Sequence, residues 1–250
     1  MSTKVEKVDI SEFATSLSFM IQIAPPAQKS QSLTVAIAVR EDILEARLEP
    51  GSRLHVASLV ERFGVSQGAV REALSRLVAD GLAVALDQKG FRVADVSIED
   101  LRDLTEARIE LEVVALRRAI ARGDAAWEGR ILAAYHELSK ATPAAVEQLR
   151  GEMVAWGVLH RRFHDALVSA AGSDWLARFR ETLAAQSERY RKLAVVRPDG
   201  PRDVDGEHRG LMDAVLARDA DRCAVLIEAH FRATTQTVTL AFEKREGAAT

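Results

Sequence analysis

From Leu33 to Leu48 the apolar residues Leu33, Ala36, Ile37, Ile43, Leu44 and Leu48 recur near helical spacing, and Pro50-Gly51 stops the run. A short second helix is predicted over Val56–Phe63, where Gly64 breaks it. Ser66 is a suitable N-cap for a third helix whose apolar face is Val70, Ala73, Leu74, Leu77 and Val78, with Gly81 at its end. The period then changes. Leu82–Leu86 and Phe91–Val93 are short apolar segments flanking Asp87-Gln88-Lys89-Gly90, a turn with glycine last, which signals a hairpin. Helix, helix, turn, helix and hairpin in this order predict a winged helix-turn-helix over residues 32–95.

Ala94–Ser97 reads as a connector, and Ser97 with Asp100 three residues on can cap the next helix, Ile98–Arg122. Breaks at Gly123, Thr142-Pro143, Gly172-Ser173, Pro198-Asp199-Gly200-Pro201 and Arg218–Asp221 divide the remainder into about six helices with no evident strand. The expected fold class is mainly α: three helices and a β-hairpin, followed by an all-α antiparallel bundle over residues 98–246. Residues 1–31 read as an N-terminal arm, in which acids at Glu6, Asp9 and Glu12 and the pair Pro25-Pro26 argue against a signal segment.

Composition restricts the chemistry. The 34 Lys and Arg residues nearly balance 37 Asp and Glu, so any contact with DNA must come from a local patch. The single cysteine, Cys223, excludes an internal disulfide framework and a cysteine-based zinc site, and fits a reducing, cytoplasmic setting. It reads as a buried small side chain, and Trp127, Trp156 and Trp175 read as core or interface residues. No apolar run approaches the roughly 18 residues that span a membrane.

In a helix-turn-helix the N-terminal residues of the second helix lie nearest the bases and phosphates. Here they are Ser66, Gln67, Gly68 and Arg71. Ser66 and the helix terminus can hold a phosphate, Gln67 can pair adenine, and Arg71 can reach phosphate or guanine. Lys89 and Gly90 stand at the wing tip. The stretches Leu59–Ser66, Val70–Leu77 and Asp80-Gly81-Leu82 resemble the winged-helix domain of GntR-family bacterial transcription regulators. Family members usually carry Arg-Thr-Pro or Arg-Thr-Thr where this chain has Gln67-Gly68-Ala69, so altered base readout is expected. The resemblance implies a homodimer on double-stranded operator DNA.

His160 and His164 are four residues apart on a predicted helix and project from one face. His208 and His230 are each eleven residues from Asp219, the centre of a predicted helix break, and so stand level across an antiparallel hairpin. All four can converge on one divalent transition metal, zinc first, with nickel, iron or manganese also compatible. The segments Asp103–Arg108, Leu111-Glu112, Phe163–Leu167, Ala171-Gly172, Glu207-His208 and His230 resemble the FCD ligand-binding domain of FadR-like GntR regulators. By that resemblance His164, His208 and His230 match three metal ligands, His160 stands at a position usually Asp or Asn, and Arg108 holds an effector carboxylate. The implied function is a metabolite-responsive regulator, a repressor in most members, rather than an enzyme. The alternatives are a hydrolase using the four histidines and a regulator whose metal is purely structural. His160-Arg161-Arg162-Phe163-His164 lacks the glutamate base that a His-Glu-x-x-His hydrolase places after its first histidine.

Overall fold

A computed structural model describes residues 31–87, 89–141, 150–194 and 202–248, with the backbone alone for 150–155 and 245–248. The arm expected before Gln31, Gln88 of the turn, and the breaks at Thr142-Pro143 and Pro198–Pro201 lie outside the described residues.

Helix α1, Gln31–Leu44, buries Val35, Val39 and Ile43 completely, one residue per turn along one face. It ends four residues before the expected Leu48. The Asp42 carbonyl accepts the amides of both Arg47 and Leu48, and Ala46 takes the left-handed conformation at φ 54°. The buried Asp42 carboxylate holds this turn through Arg47 Nε at 2.7 Å and Arg62 Nη1 at 2.5 Å. Helix α2, Val56–Phe63, stops at Gly64, whose φ of 63° is inexpensive only for glycine. Helix α3, Gln67–Ala79, starts at Ser66, whose hydroxyl accepts the Ala69 amide at 3.2 Å, and buries Val70, Ala73, Leu74 and Leu77.

The hairpin pairs β2, Ala83–Leu86, with β3, Gly90–Val93. Gly90 pairs with Leu86 at φ 90°, so only three residues lie between the strands. Arg53-Leu54 adds a further strand, β1, on the other side of β3, in the order β1-β3-β2. Two residues carry no alternating pattern long enough to be read in a sequence.

Six helices follow: α4 Ile98–Arg122, α5 Ala125–Lys140, α6 Arg150–Val168, α7 Asp174–Leu193, α8 Val204–Leu216 and α9 Ala220–Ala248. Their core is separate from that of residues 35–93 and includes Trp127, Phe163, Leu116, Leu211, Ile227 and the thiol of Cys223. The α8–α9 turn has Arg218 at φ 58° and Asp219 capping the Arg222 amide, at the expected break. The C-terminal half of α7 also grips the first unit: Gln186 Nε2 donates to the Asp80 carbonyl at 3.2 Å, Arg189 to the Ala94 carbonyl, and Lys192 pairs with Glu45. Tyr190 Oη meets the Ser97 amide and the Asp100 carboxylate at the connector.

Trp127 has no exposed surface, and its indole N–H donates to the Ala166 carbonyl at 3.0 Å. A β-carbon built on Gly123 would lie 2.0 Å from that ring. Overpacking of this kind costs about 1–3 kcal/mol, so Gly123→Ala is expected to lower stability by that amount in denaturant unfolding; a change under about 0.5 kcal/mol would contradict the packing.

Candidate functional site

Helices α6, α8 and α9 deliver four imidazoles to one point. The ring centroids of His160, His164, His208 and His230 lie 4.6 to 6.0 Å apart. Phe163 and Phe231 wall the cluster, and Trp156, one turn before His160, stacks on its ring at 4.6 Å and 18°. Trp156 is therefore part of the site wall, where the sequence suggested core or interface. His164, His208 and His230 are buried, while His160 is partly accessible from the cavity beside it.

Protein hydrogen bonds account poorly for these nitrogens. His164 Nε2 and His160 Nε2 face each other at 3.2 Å, and both His164 Nδ1 and His208 Nε2 are buried with no partner among the described residues. One candidate ligand atom from each ring lies within 4.8 Å of all the others. Opposite ligands on an ion with bonds of about 2.0–2.1 Å would span about 4 Å, so small ring rotations would bring the four donors to one ion. Burial lowers all four basicities: His160, His164 and His230 fall well below the usual 6.5, aided by neighbouring imidazole and guanidinium charge, and His208 falls to about 4. The rings are neutral at pH 7 and keep the lone pairs that a cation needs. The donor set fits a borderline divalent metal.

A carboxylate not singled out from the sequence fixes one ring. Glu207 Oε2 lies 2.7 Å from His230 Nδ1, and Arg202 holds Glu207 through Nε at 2.6 Å while also donating to the His230 carbonyl. A carboxylate on one imidazole nitrogen leaves the other as the ligand and raises its donor strength.

The adjoining cavity, of about 240 Å³, lies between α4, α6, α7 and α9. Arg108 reaches it from α4, donates to Ser187 Oγ at 2.7 Å and stands 4.0 Å over the Phe231 ring. Glu112, the i+4 acid, instead binds Arg180 in a two-point pair at 2.6 and 2.8 Å. Arg108 thus lacks a carboxylate partner among the described residues. Burial lowers its pKa to about 10, which leaves it charged at neutral pH. An enclosed, unpaired guanidinium beside a cluster of neutral imidazoles is suited to a carboxylate.

At the other end of the chain, Gln67, Gly68 and Arg71 are exposed on the first turns of α3, and Lys89 is exposed in the β2–β3 turn. Arg71 has no carboxylate partner among the described residues, whereas Arg76 one turn on is paired with Glu72. The Ser66 hydroxyl accepts the Ala69 amide as a cap and keeps its own hydrogen to donate beside the helix-terminal amides.

Residues 31–93 match the family described as bacterial regulatory proteins, gntR family, and residues 103–233 match the FCD domain. The chain is 43% identical over 200 residues to the HTH-type transcriptional regulator BphR of Paraburkholderia xenovorans, covering 80% of this chain and 82% of that protein. It is 36% identical over 197 residues to the HTH-type transcriptional repressor GlaR of Escherichia coli, covering 77% and 88%. Among solved structures, a GntR regulator from Rhodococcus shares the fold at a TM-score of 0.68 and 21% identity, covering 84% of this chain and 98% of that one. Escherichia coli McbR/YncC gives 0.67 and 22%, covering 86% and 99%.

An imidazole whose folded pKa lies below its unfolded value near 6.5 takes up a proton more readily when unfolded. The stabilising effect of the neutral cluster is therefore complete above about pH 6.5 and is lost as pH falls towards about 4. Melting of chelator-treated protein should show a lower Tm at pH 5.5 than at pH 7.5, and His164→Gln should reduce that difference. Equal melting temperatures at both pH values would show that the rings are not sequestered.

Proposed function

The chain belongs to the GntR family of bacterial transcription regulators and carries an FCD domain, and from that premise we propose that it is a homodimeric, cytoplasmic repressor whose DNA affinity is set by a small carboxylate bound between a divalent metal and Arg108. DNA binding belongs to the family, and the families and relatives matched are regulators, not enzymes. The repressor sense is supported by the likeness to GlaR, a transcriptional repressor. The observation that carries the sensory reading is the juxtaposition of four convergent neutral imidazoles with an unpaired guanidinium at one cavity.

His160, His164, His208 and His230 would hold the metal, with zinc first among the candidates. The bound ion would supply a Lewis-acidic centre carrying an undiminished +2 charge, because no carboxylate is among the four ligands. Arg108 orients the second oxygen of the carboxylate, and Ser187 and Phe231 hold the guanidinium in place. A purely structural ion would staple the bundle equally well, but would leave the charge of Arg108 without a role. At the DNA, Arg71 contacts phosphate or guanine, Gln67 reads a base, the α3 N-terminus at Ser66 and Gly68 approaches a phosphate, and Lys89 with Gly90 brings the wing to the backbone.

Three measurements check the reading. Arg71→Ala should weaken binding by at least about ten-fold in a gel shift on a duplex that the protein selects from a random pool; an unchanged affinity would remove α3 as the reading helix. Metal analysis of His164→Ala should show strong depletion relative to the parent protein. A sensory ion predicts that chelation abolishes the carboxylate response while melting falls modestly; a structural ion predicts a large loss of Tm.

A further inference from the structure

The cavity has a second charged end, and one of its walls does not come from the bundle. Glu45, which directly follows α1 in the DNA-binding unit, lines it together with Lys192, Arg191 and Glu188 of α7. Lys192 pairs with Glu45 across 147 positions of sequence, and Arg191 pairs with Glu188 at 2.9 Å within the helix. The two pairs differ in what they join. Glu188 moves with Arg191 on the same helix, whereas Glu45 ties the cavity wall to the unit that carries α3. Both partners of the Lys192 pair are partly exposed, at 27% and 31%, so the pair is weak enough for a ligand to displace.

Ser187, which holds Arg108, and Lys192 are five residues apart on α7, or roughly 7.5 Å along a helix axis. We propose that Lys192 is a second anion subsite for the effector, and that an elongated dicarboxylate with one end at Arg108 takes Lys192 from Glu45 with the other. The inference rests on the Arg108 reading above. A single ammonium, beside an arginine already paired, offers charge for one carboxylate rather than for a dianionic phosphate. Displacing Glu45 leaves the nearby Gln186–Asp80 hydrogen bond at the C-terminus of α3 as a remaining direct hold of α7 on the DNA-binding unit. The ligand thus exchanges a contact between units for one of its own, which is the differential contact that allosteric coupling requires.

The test uses full-length, zinc-loaded protein and calorimetric titration with unbranched dicarboxylates from malonate to pimelate, each beside its monocarboxylate of equal length. At the matching length the dicarboxylate should bind at least about ten-fold tighter than its monocarboxylate. Glu45→Gln, which removes the competitor, should tighten the dicarboxylate further, and Lys192→Ala should reduce it to the monocarboxylate level. On a selected duplex, the dicarboxylate should shift DNA affinity by at least about five-fold in the parent protein and not in Lys192→Ala. Monocarboxylate binding with no gain at any dicarboxylate length, or an undiminished gain in Lys192→Ala, overturns the second subsite alone. Absence of binding by every carboxylate overturns the Arg108 reading and the subsite with it.

Discussion

Four imidazoles drawn out of water by three helices place a double constraint on the bundle: they must stay uncharged, and two of their buried nitrogens have no partner among the described residues. With rings 4.6 to 6.0 Å apart, a proton on one raises the cost of a proton on the next, and burial adds to that cost. A divalent cation would meet both demands, since it binds the neutral form and takes up imidazole lone pairs that no described residue engages. The outer contacts follow from the same requirement. Glu207 and Arg202 fix one ring, Trp156 flanks another, and Phe163 and Phe231 pack against the cluster.

Helix α7 connects this centre to DNA reading through its consecutive residues. Ser187, Glu188 and Arg191 face the cavity, while Gln186, Arg189 and Tyr190 hold the end of α3, the strand exit at Ala94 and the connector at Ser97. Arg189 is buried at 2% exposure, and its Nε has no hydrogen-bond partner among the described residues, so that seam carries an unsatisfied polar group of its own. The helix thus has the cavity along one side and the DNA-binding unit along the other. Stable cores lie on both sides of the seam, one built on Leu74 and Val93 and one on Trp127 and Phe163.

Much of this was legible in the sequence because it depends on local rules. Ser66 and Ser97 cap the helices that their spacing predicts, Gly64 and Gly81 take the positive φ that their positions require, and the turn near Asp219 sets His208 level with His230. What was missed depends on distant partners. Arg108 and Glu112 stand i, i+4 on one helix, and what separates them is Arg180 of α7, which takes Glu112 and leaves Arg108 to the cavity. Lys192 and Glu45 carry no mutual signal across 147 positions, β1 is too short for periodicity, and α1 ends early because a buried Asp42 recruits Arg62 from another helix.

On the reading proposed above, the four histidines ligate one metal ion and leave room for an exogenous oxygen. X-ray absorption at the metal edge of the purified full-length protein addresses it directly. Scattering from four imidazoles at about 2.0–2.1 Å is expected, with an added oxygen shell when a carboxylate is supplied. Two or fewer imidazoles, or no change on adding any carboxylate, would contradict it.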